Sequence, residues 1–416
     1  MRIAFVTDSY WPRVNGVSVS IQSFCGELAR RGHAAAVFCP DYPRPGAGDD
    51  PAPVAAVAVF RFRSRPSTAS AEDRLVRLGA FPAVLRALDR FRPDIVYIQT
   101  EFSMHAAGRL YARTRGVPLA LCSHTDYEHY VANYIRGASP ALLARAVCWL
   151  MKIIYRGADA VVTPSYAMER LLESYGLRGP IHVLPTGVPA AFAAAASDRE
   201  AALIRRSALK EAYPALAGKR ILLFAGRVTE EKGIDFLVPV LERVRASLPD
   251  VALLVVGDGP HRPALEARVA AAGLSGSVAF AGYLPYGELP LVYAAADLFV
   301  FPSRTETLGL CTIEAMSAGL PVVAIGEMGT RDVMRGDNGG YMVRADVGEF
   351  SAAVLRLLDD EELRRAKSAE ARAWSERFGV AAATDRLLEL FSELAGRAAR
   401  GPAPHPKPAN ASSRCT

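Results

Sequence analysis

The chain has 416 residues, of which 51% are hydrophobic and 22% are charged, and its formal net charge is +6. This composition excludes a mostly disordered chain, and the length predicts two folded domains with large buried cores. It contains no run of the roughly 18 apolar residues that a membrane-spanning helix needs. The first residues are typical of a buried strand rather than of a secretory signal, so we expect a cytoplasmic protein.

The positive charge is concentrated in the first half of the chain. Residues 1–190 hold 22 Lys and Arg against 15 Asp and Glu, whereas the remainder holds 27 against 28. This imbalance fits peripheral contact with an anionic membrane or an anionic acceptor, and equally an ordinary arginine-rich surface. No basic stretch is interleaved with aromatic residues, so no nucleic-acid partner is expected. The six cysteines form no C-x-x-C pair, which favours free thiols over disulfides or zinc ligands.

Short apolar strands alternate with helical patterns along the first 188 residues. The predicted strands are 3–7, 34–38, 94–99, 118–123, 160–163 and 181–184, and the predicted helices are 18–30, 104–115, 141–156 and 166–175. The strands do not alternate between polar and apolar residues, which is typical of a parallel sheet covered by helices on both faces.

A second series of strands and helices follows a stretch rich in alanine and charge at 189–219, which we predict to be a linker with one or two helical turns. The predicted strands are 220–225, 251–256, 277–281, 298–302 and 321–324, and the predicted helices are 233–248, 262–272, 287–295 and 309–318. A last helix is predicted at 379–400, and the Pro-, Ala- and Ser-rich tail 401–416 is predicted to be disordered.

These patterns predict an α/β fold of two doubly wound, Rossmann-like domains, 1–188 and 220–378, facing each other across a central cleft. Ligands bind such sheets at the carboxyl ends of the strands, so the loops after the strands are the places to look for chemistry.

Two glutamates with seven residues between them form the most distinctive motif. Glu306 follows a predicted strand, and Glu314 lies in the next helix. Between them, Leu308, Gly309 and Leu310 place backbone N–H groups at a helix N-terminus, which suits a phosphate. Glu314 is then placed to bind a ribose diol and Glu306 to bind a sugar hydroxyl. The alternative is a helix with acidic residues near its first turn.

Four further loops carry candidate donor-binding residues. Arg227 and Lys232 lie in one loop after a strand and can neutralise a diphosphate; an exposed polar turn is the alternative. Gly16, in the first strand-to-helix turn, allows close approach of a phosphate to the backbone. Gly257 and Tyr283 follow two other strands and can line a base pocket. All three glycine and tyrosine positions are also compatible with plain turns.

A polar cluster follows the strand predicted at 118–123. His124 can bind a donor-sugar hydroxyl, and Asp126, Tyr127 and Glu128 are candidates for binding acceptor hydroxyls. The cluster lacks the spacing of a metal-binding helix, and the chain has no D-x-D motif, so no metal ligand is assigned.

In their order along the chain, these motifs resemble the family 4 retaining glycosyltransferases with the GT-B fold, over residues 1–390. The resemblance rests on Gly16, His124, Pro185-Thr186-Gly187-Val188, Gly226-Arg227, Lys232-Gly233, Gly257-Asp258-Gly259, Glu306 with Glu314, and Gly319-Leu320-Pro321-Val322. It implies a nucleotide-sugar donor bound by the C-terminal half and an acceptor bound by the N-terminal half.

The resemblance also implies residue roles and a mechanism. Arg227 and Lys232 would hold the donor diphosphate, Glu314 the ribose, and Glu306 and His124 the donor sugar. Such enzymes need neither metal nor cofactor, because protein cations and helix dipoles stabilise the departing diphosphate. The glycosidic bond would form with retention of configuration, and the leaving phosphate would help to deprotonate the acceptor.

One departure from the family's sequence pattern narrows the range of expected acceptors. Many relatives have Pro-Asn-Gly where this chain has Pro185-Thr186-Gly187, and this variant resembles the diacylglycerol glucosyltransferases and GDP-mannose-dependent α-mannosyltransferases. The expected function is therefore transfer of glucose or mannose from a UDP- or GDP-sugar to a membrane lipid such as diacylglycerol or phosphatidylinositol, at the inner face of the cell membrane. A soluble glycan acceptor, a nucleotide-sugar epimerase, a phosphorylase and a degenerate nucleotide-sugar-binding protein remain alternatives.

Overall fold

The computed structural model describes residues 1–13, 15–43, 57–67, 73–125 and 140–399. They form two parallel sheets, each covered by helices on both faces.

Seven parallel strands form the first sheet, in the order β3-β2-β1-β6-β7-β8-β9, and two short strands, β4 and β5, form a separate antiparallel pair. The strands are β1 (Arg2–Val6), β2 (Ala34–Pro40), β3 (Ala58–Phe62), β4 (Ser64–Pro66), β5 (Arg74–Val76), β6 (Ile95–Ile98), β7 (Leu119–Cys122), β8 (Ala160–Thr163) and β9 (Ile181–Val183). The helices are α1 (Gly16–Arg30), α2 (Phe81–Phe91), α3 (Ser103–Arg115), α4 (Pro140–Tyr155) and α5 (Tyr166–Ser174).

Six parallel strands form the second sheet, in the order β12-β11-β10-β13-β14-β15. Its strands are β10 (Arg220–Ala225), β11 (Val251–Val256), β12 (Val278–Gly282), β13 (Leu298–Phe301), β14 (Val322–Ile325) and β15 (Gly340–Val343). The helices of this half are α6 (Ala190–Ser197), α7 (Arg199–Ala212), α8 (Leu237–Ser247), α9 (Arg262–Ala271), α10 (Leu289–Ala294), α11 (Leu310–Ser317), α12 (Met328–Met334), α13 (Val347–Asp359) and α14 (Glu361–Ser375). The helix α15 (Val380–Ala399) ends the described chain.

The central strands of both sheets are apolar because both faces are covered. Every residue of β6, β7, β8, β11, β13 and β14 is buried. A parallel sheet with helices on both sides leaves no solvent-facing row, which explains the absence of polar alternation in the sequence. The α/β fold with two Rossmann-like domains is thereby confirmed.

The last helix returns to the first sheet. Val188 N–H donates to the Phe378 carbonyl at 2.8 Å, and Val380 N–H donates to the Val188 carbonyl at 3.1 Å, so the returning chain pairs with the segment that leaves the first domain. Gly187 is needed at this crossing, because a Cβ there would stand 2.2 Å from the Cα of Val380. Beyond the crossing, α15 packs its apolar face, including Phe391, against the first core.

The structure differs from the sequence prediction at 189–219. This stretch forms α6 and α7, of 8 and 14 residues, rather than one or two helical turns. Phe192 of α6 is fully buried and contacts the rings of Tyr286 and Tyr293, so this stretch packs as part of the second domain's core. The alanine-rich composition has high helix propensity, which the prediction weighed too lightly.

Other differences concern element boundaries and elements that the prediction left out. The helix predicted at 233–248 begins with the 3₁₀ turns Glu230–Lys232 and Ile234–Phe236, and the α-helix starts only at Leu237. The prediction omitted β3, β4, β5, α2, α12, β15, α13 and α14. The omitted strands and α12 are short, at three to seven residues, and gave little local pattern. The helices α2, α13 and α14 have amphipathic patterns that the prediction overlooked.

Candidate active site

Lys232 and Glu306 meet at the carboxyl edge of the second sheet. Lys232 follows β10 and Glu306 follows β13, and these two strands are hydrogen-bonded neighbours, so their following loops lie side by side. Lys232 Nζ lies 2.6 Å from Glu306 Oε1, and both side chains are mostly buried. Burial lowers the pKa of Lys232, but the Glu306 carboxylate, with a smaller contribution from Glu231, more than offsets this and raises the pKa above its usual value. The ammonium group is therefore charged at neutral pH.

Arg227 lies in the same loop as Lys232 but is more exposed. Its guanidinium donates to Glu231 Oε1 at 2.7 Å, and the Arg227 side chain retains 39% of its accessible surface. Its charge acts on Lys232, lowering the pKa of that lysine slightly, so the two cations are neighbours. Thr305 adds a link between the two loops by donating to the Glu231 carbonyl at 3.4 Å. The loops thus bring two cations and two carboxylates to one place.

The N-terminus of α11 lies between the two glutamates of the motif. Gly309 has φ = 85° and precedes Leu310, the first helical residue, while Leu308 is buried. The first N–H groups of a helix have no partner within the helix and favour an anion. The buried hydroxyls of Thr312 and Thr330 lie 3.6 and 3.4 Å from where a Cβ on Gly309 would stand, and neither has a hydrogen-bond partner among the described residues. This end of the helix is therefore rich in free donors.

Glu314 is more enclosed than the sequence prediction assumed. Its carboxylate accepts hydrogen bonds from the hydroxyls of Tyr286 and Tyr293, each at 2.9 Å, and only 3% of the residue is exposed. Burial raises the pKa of Glu314 to about 7, although the two tyrosine hydrogen bonds act in the opposite direction. Each carboxylate oxygen has a second lone pair, so a ribose hydroxyl would join or displace a tyrosine.

The carboxyl ends of β10, β11 and β12 approach one another closely at glycine residues. Gly257 N–H donates to the Gly282 carbonyl at 2.8 Å, and a Cβ on Gly257 would stand 2.0 Å from the Gly226 carbonyl oxygen. Only glycine fits there, and Gly257 also has φ = 122°. Tyr283 follows directly; its hydroxyl donates to the Asp258 carbonyl at 3.0 Å while 61% of the residue is exposed. The exposed ring of Tyr283 therefore lies beside the surface formed by these glycine loops.

His124 lies at the corresponding edge of the first sheet. It follows β7, and its Nε2 is 3.0 Å from Gln99 Oε1, which follows the neighbouring strand β6. Burial lowers the pKa of His124 to about 4, so the imidazole is neutral at pH 7. A proton on Nε2 would be donated to the Gln99 oxygen.

Gly16 begins α1 in an open position. A Cβ placed on it would meet nothing within 4 Å, and the preceding Asn15 caps the helix by accepting from Ser18 N–H at 2.9 Å. The glycine is therefore not required by packing around it, which leaves room for a ligand at this helix N-terminus.

The predicted acceptor residues Asp126, Tyr127 and Glu128 lie outside the described residues. Conversely, four residues that hold the site together escaped the sequence analysis: Gln99, Glu231, Tyr286 and Tyr293. Of these, Glu231 is adjacent to Lys232, and an i,i+4 pairing with Arg227 is a recognisable signal. The others join through tertiary contacts that no sequence spacing indicates.

Neither a membrane-spanning helix nor a metal-binding cluster occurs among the described residues. No helix in them combines at least 18 residues with enough apolarity to cross a membrane. No group of three or more His, Cys, Asp or Glu side chains in the same residues is arranged to hold a metal ion.

Family models match both halves of the chain. The model described as Glycosyltransferase Family 4 matches residues 14–192, and the model described as Glycosyl transferases group 1 matches residues 206–374. The boundary between the two matches falls within α6 and α7, between the two sheets.

Characterised relatives are similar over most of their length. The alpha-monoglucosyldiacylglycerol synthase of Streptococcus pneumoniae is 31% identical over 78% of this chain and 71% of its own. The GDP-mannose-dependent alpha-mannosyltransferase of Mycobacterium tuberculosis is 30% identical over 95% of this chain and 98% of its own.

Solved structures share the fold at lower identity. An Anabaena protein crystallised with UDP superposes with a TM-score of 0.72 at 19% identity, covering 94% of this chain and 100% of that one. The sucrose-phosphate synthase of Thermosynechococcus elongatus gives a TM-score of 0.72 at 22% identity, covering 94% and 98%.

Together with these matches, two Rossmann-like domains with cations and a helix N-terminus at the strand ends identify a glycosyltransferase that uses a nucleotide sugar. The chain belongs to family 4 of the glycosyltransferases with the GT-B fold.

Proposed function

We propose that this enzyme is a retaining, metal-independent hexosyltransferase that moves glucose or mannose from a UDP- or GDP-sugar to a membrane lipid such as diacylglycerol or phosphatidylinositol. In this proposal it binds the inner face of the cell membrane peripherally. The C-terminal domain binds the donor, and the N-terminal domain binds the acceptor.

The proposed donor site is the surface built from Lys232, Arg227, Glu306 and the N-terminus of α11. The buried lysine remains protonated and can neutralise the departing diphosphate, while the helix N–H groups bind its oxygens. Displacing Glu306 from Lys232 would free that carboxylate for a sugar hydroxyl. The leaving phosphate would take the acceptor proton, so the proposed reaction requires neither a metal ion nor a cofactor.

The observation that supports a lipid acceptor is the exposed apolar face of α4. Val147, Met151 and Tyr155 are buried at intervals of four residues, which places one side of the helix in the first core. Helical periodicity then puts three other side chains on the opposite side: Trp149, Leu150 and Ile153 are 67%, 45% and 46% exposed. A soluble surface rarely groups such residues.

Basic residues flank this apolar face. Arg145, Lys152 and Arg156 are exposed, and at 100° per residue they lie along one edge of it. Tryptophan and aliphatic side chains enter the interfacial region of a bilayer while lysine and arginine contact anionic headgroups. The helix also directly follows, in sequence, the segment that holds Asp126, Tyr127 and Glu128, the proposed acceptor residues.

A donor and vesicle panel tests the proposal. The enzyme is incubated with UDP-glucose, GDP-mannose and related donors in EDTA, with vesicles of phosphatidylcholine and phosphatidylglycerol that do or do not contain diacylglycerol or phosphatidylinositol. We expect one donor class to be consumed, with sugar transferred to the lipid and the anomeric configuration retained by NMR.

A matched pair of variants isolates the membrane face. Trp149→Ser should weaken vesicle co-sedimentation and lipid transfer, whereas Leu203→Ser, which alters a residue 55% exposed on α7, should change neither. Transfer only to soluble glycans would replace the lipid acceptor, and equal vesicle binding by both variants would contradict the α4 face.

A further inference from the structure

Two hydrogen bonds join the domains next to Glu306. Ser165, which follows β8 in the first domain, donates its hydroxyl to the Thr307 carbonyl at 2.5 Å. Asp332, on α12 in the second domain, accepts from Ala167 N–H at 2.6 Å. Thr307 is the residue after Glu306, so one of these contacts falls directly on the main chain of the proposed donor site.

The N-terminus of α5 is therefore capped from both domains. Ser165 is the N-cap residue and accepts from Met168 N–H at 3.2 Å, while the Asp332 carboxylate of the other domain satisfies Ala167 N–H. An anion at a helix N-terminus is favoured by both the free N–H groups and the helix dipole. Arg170, on the same helix, lies 3.9 Å from the other oxygen of Asp332. The contact is thus complementary in charge as well as in hydrogen bonding.

On the second-domain side, α12 is in tight contact with the segment that carries Glu306. Gly329 N–H donates to the Glu306 carbonyl at 2.7 Å. A Cβ on Gly329 would stand 2.6 Å from the carbonyl carbon and oxygen of Thr307, so nothing larger than glycine fits. Asp332 follows Gly329 by one helical turn. A displacement of Asp332 or of Thr307 therefore moves the same short segment, the one that carries Glu306.

We propose that Ser165 and Asp332 form an interdomain latch that holds the Glu306 segment in its working position when the cleft is closed. They are positioning residues, because they act through the main chain on either side of Glu306. Opening of the cleft breaks both hydrogen bonds together and releases that segment. The catalytic part of this inference rests on the proposed role of Glu306, but the closure of the domains does not.

Three variants and a control test the latch: Ser165→Ala, Asp332→Ala, Asp332→Asn and Asp346→Ala. Asp346 caps α13 within the second domain by accepting from Glu349 N–H at 2.8 Å, so Asp346→Ala removes a comparable cap without touching the interface. Small-angle X-ray scattering gives the radius of gyration, and turnover of the donor sugar gives kcat and KM.

We expect the alanine variants to have a larger radius of gyration than wild type and a kcat lower by about 3- to 30-fold, with a smaller change in donor KM. Asp332→Asn keeps an acceptor oxygen and should lie between them and wild type. The control should match wild type in radius and kcat. If Asp332→Ala does not fold, Ser165→Ala and Asp332→Asn decide the question.

The possible failures are distinguishable. Ser165→Ala and Asp332→Asn proteins with wild-type radius and wild-type kcat would overturn the latch. A larger radius in the variants, in an enzyme whose wild type turns over no nucleotide sugar, would support the latch as a domain contact and refute the proposed function instead.

Discussion

Lys232 keeps its positive charge in a largely buried position, where a ligand diphosphate would bind. The lysine is largely removed from water, which alone would favour the neutral amine, yet the adjacent Glu306 carboxylate keeps it protonated. A charge held in this way costs little reorganisation when a diphosphate arrives, which is the basis of electrostatic catalysis.

We predict that Lys232→Ala lowers kcat about 100-fold, because the leaving diphosphate loses a buried positive partner and Glu306 loses its ion pair. Lys232→Arg should recover part of the rate, since it restores charge with a different shape. Steady-state kinetics with the donor that the donor and vesicle panel selects checks this, with Lys210→Ala on α7 as the control. Unchanged kcat in Lys232→Ala would remove this residue from the donor site.

The raised pKa of Glu314 predicts that the stability of the protein depends on pH. Its folded pKa, about 7, exceeds the ordinary value of 4.5 for a glutamate, so the folded protein holds this proton more tightly than the unfolded chain. The associated stabilisation is fully present below about pH 4.5 and is lost as the pH rises through about 7.

Urea unfolding of wild type and Glu314→Gln between pH 4 and 8 measures this effect. The difference between the two free energies of unfolding removes the contributions of other groups, such as Asp8, whose pKa burial raises to about 6. Wild type should become less stable relative to the variant as the pH rises from 4.5 to 7. A flat difference across that range would show that Glu314 is not held in a desolvated position.

At this scale, the sequence indicated candidate residues but not all the partners that they contact in the structure. Glu306, Lys232 and Arg227 lie close together in the structure because the neighbouring parallel strands β10 and β13 end at one edge of the sheet. The tyrosines on Glu314 and the glutamine on His124 come from other elements, whose approach depends on how helices pack. The roles of these residues in donor binding remain predictions.

The helix α15 is the element whose position the sequence indicated least. It was predicted as a helix from its periodicity, but periodicity cannot state which domain receives its apolar face. In the structure, Phe391 is fully buried, and its ring meets that of Tyr97 edge-on at 5.1 Å. Arg31 of the first domain also pairs with Asp385 on this helix.

We predict that Phe391→Ala destabilises the first domain by about 3–5 kcal/mol, the range for removing a buried phenyl ring. Glu389→Ala, at an exposed position on the same helix, should cost less than about 0.5 kcal/mol. Thermal unfolding of both variants checks this. Similar melting temperatures for the two variants would mean that α15 does not contribute to the core as described.

The whole molecule has separate cores on either side of the cleft. One cluster of buried residues lies between Val188 and Phe378. The other two consist of residues before 190, and one of them also includes the inner face of α15. Domains with their own cores need not unfold together.

We therefore predict two transitions in scanning calorimetry. Phe391→Ala should lower the transition of the first domain, and saturating UDP or GDP should raise that of the second, because a ligand stabilises the unit that binds it. A single transition that nucleotide and Phe391→Ala both shift as a whole would show instead that the domains unfold as one unit.

By itself, the sequence determined most of the central strands and helices, the two α/β domains and the loops in which charged residues follow strands. These are local properties, because burial on both faces of a parallel sheet and helix periodicity are written into short stretches of residues. Only the tertiary structure decided that α6 and α7 pack on the second domain, that α15 returns to the first, and that Ser165 and Asp332 meet across the cleft. These contacts join residues far apart in the chain, and their energies depend on the shapes of surfaces that exist only after both domains have folded.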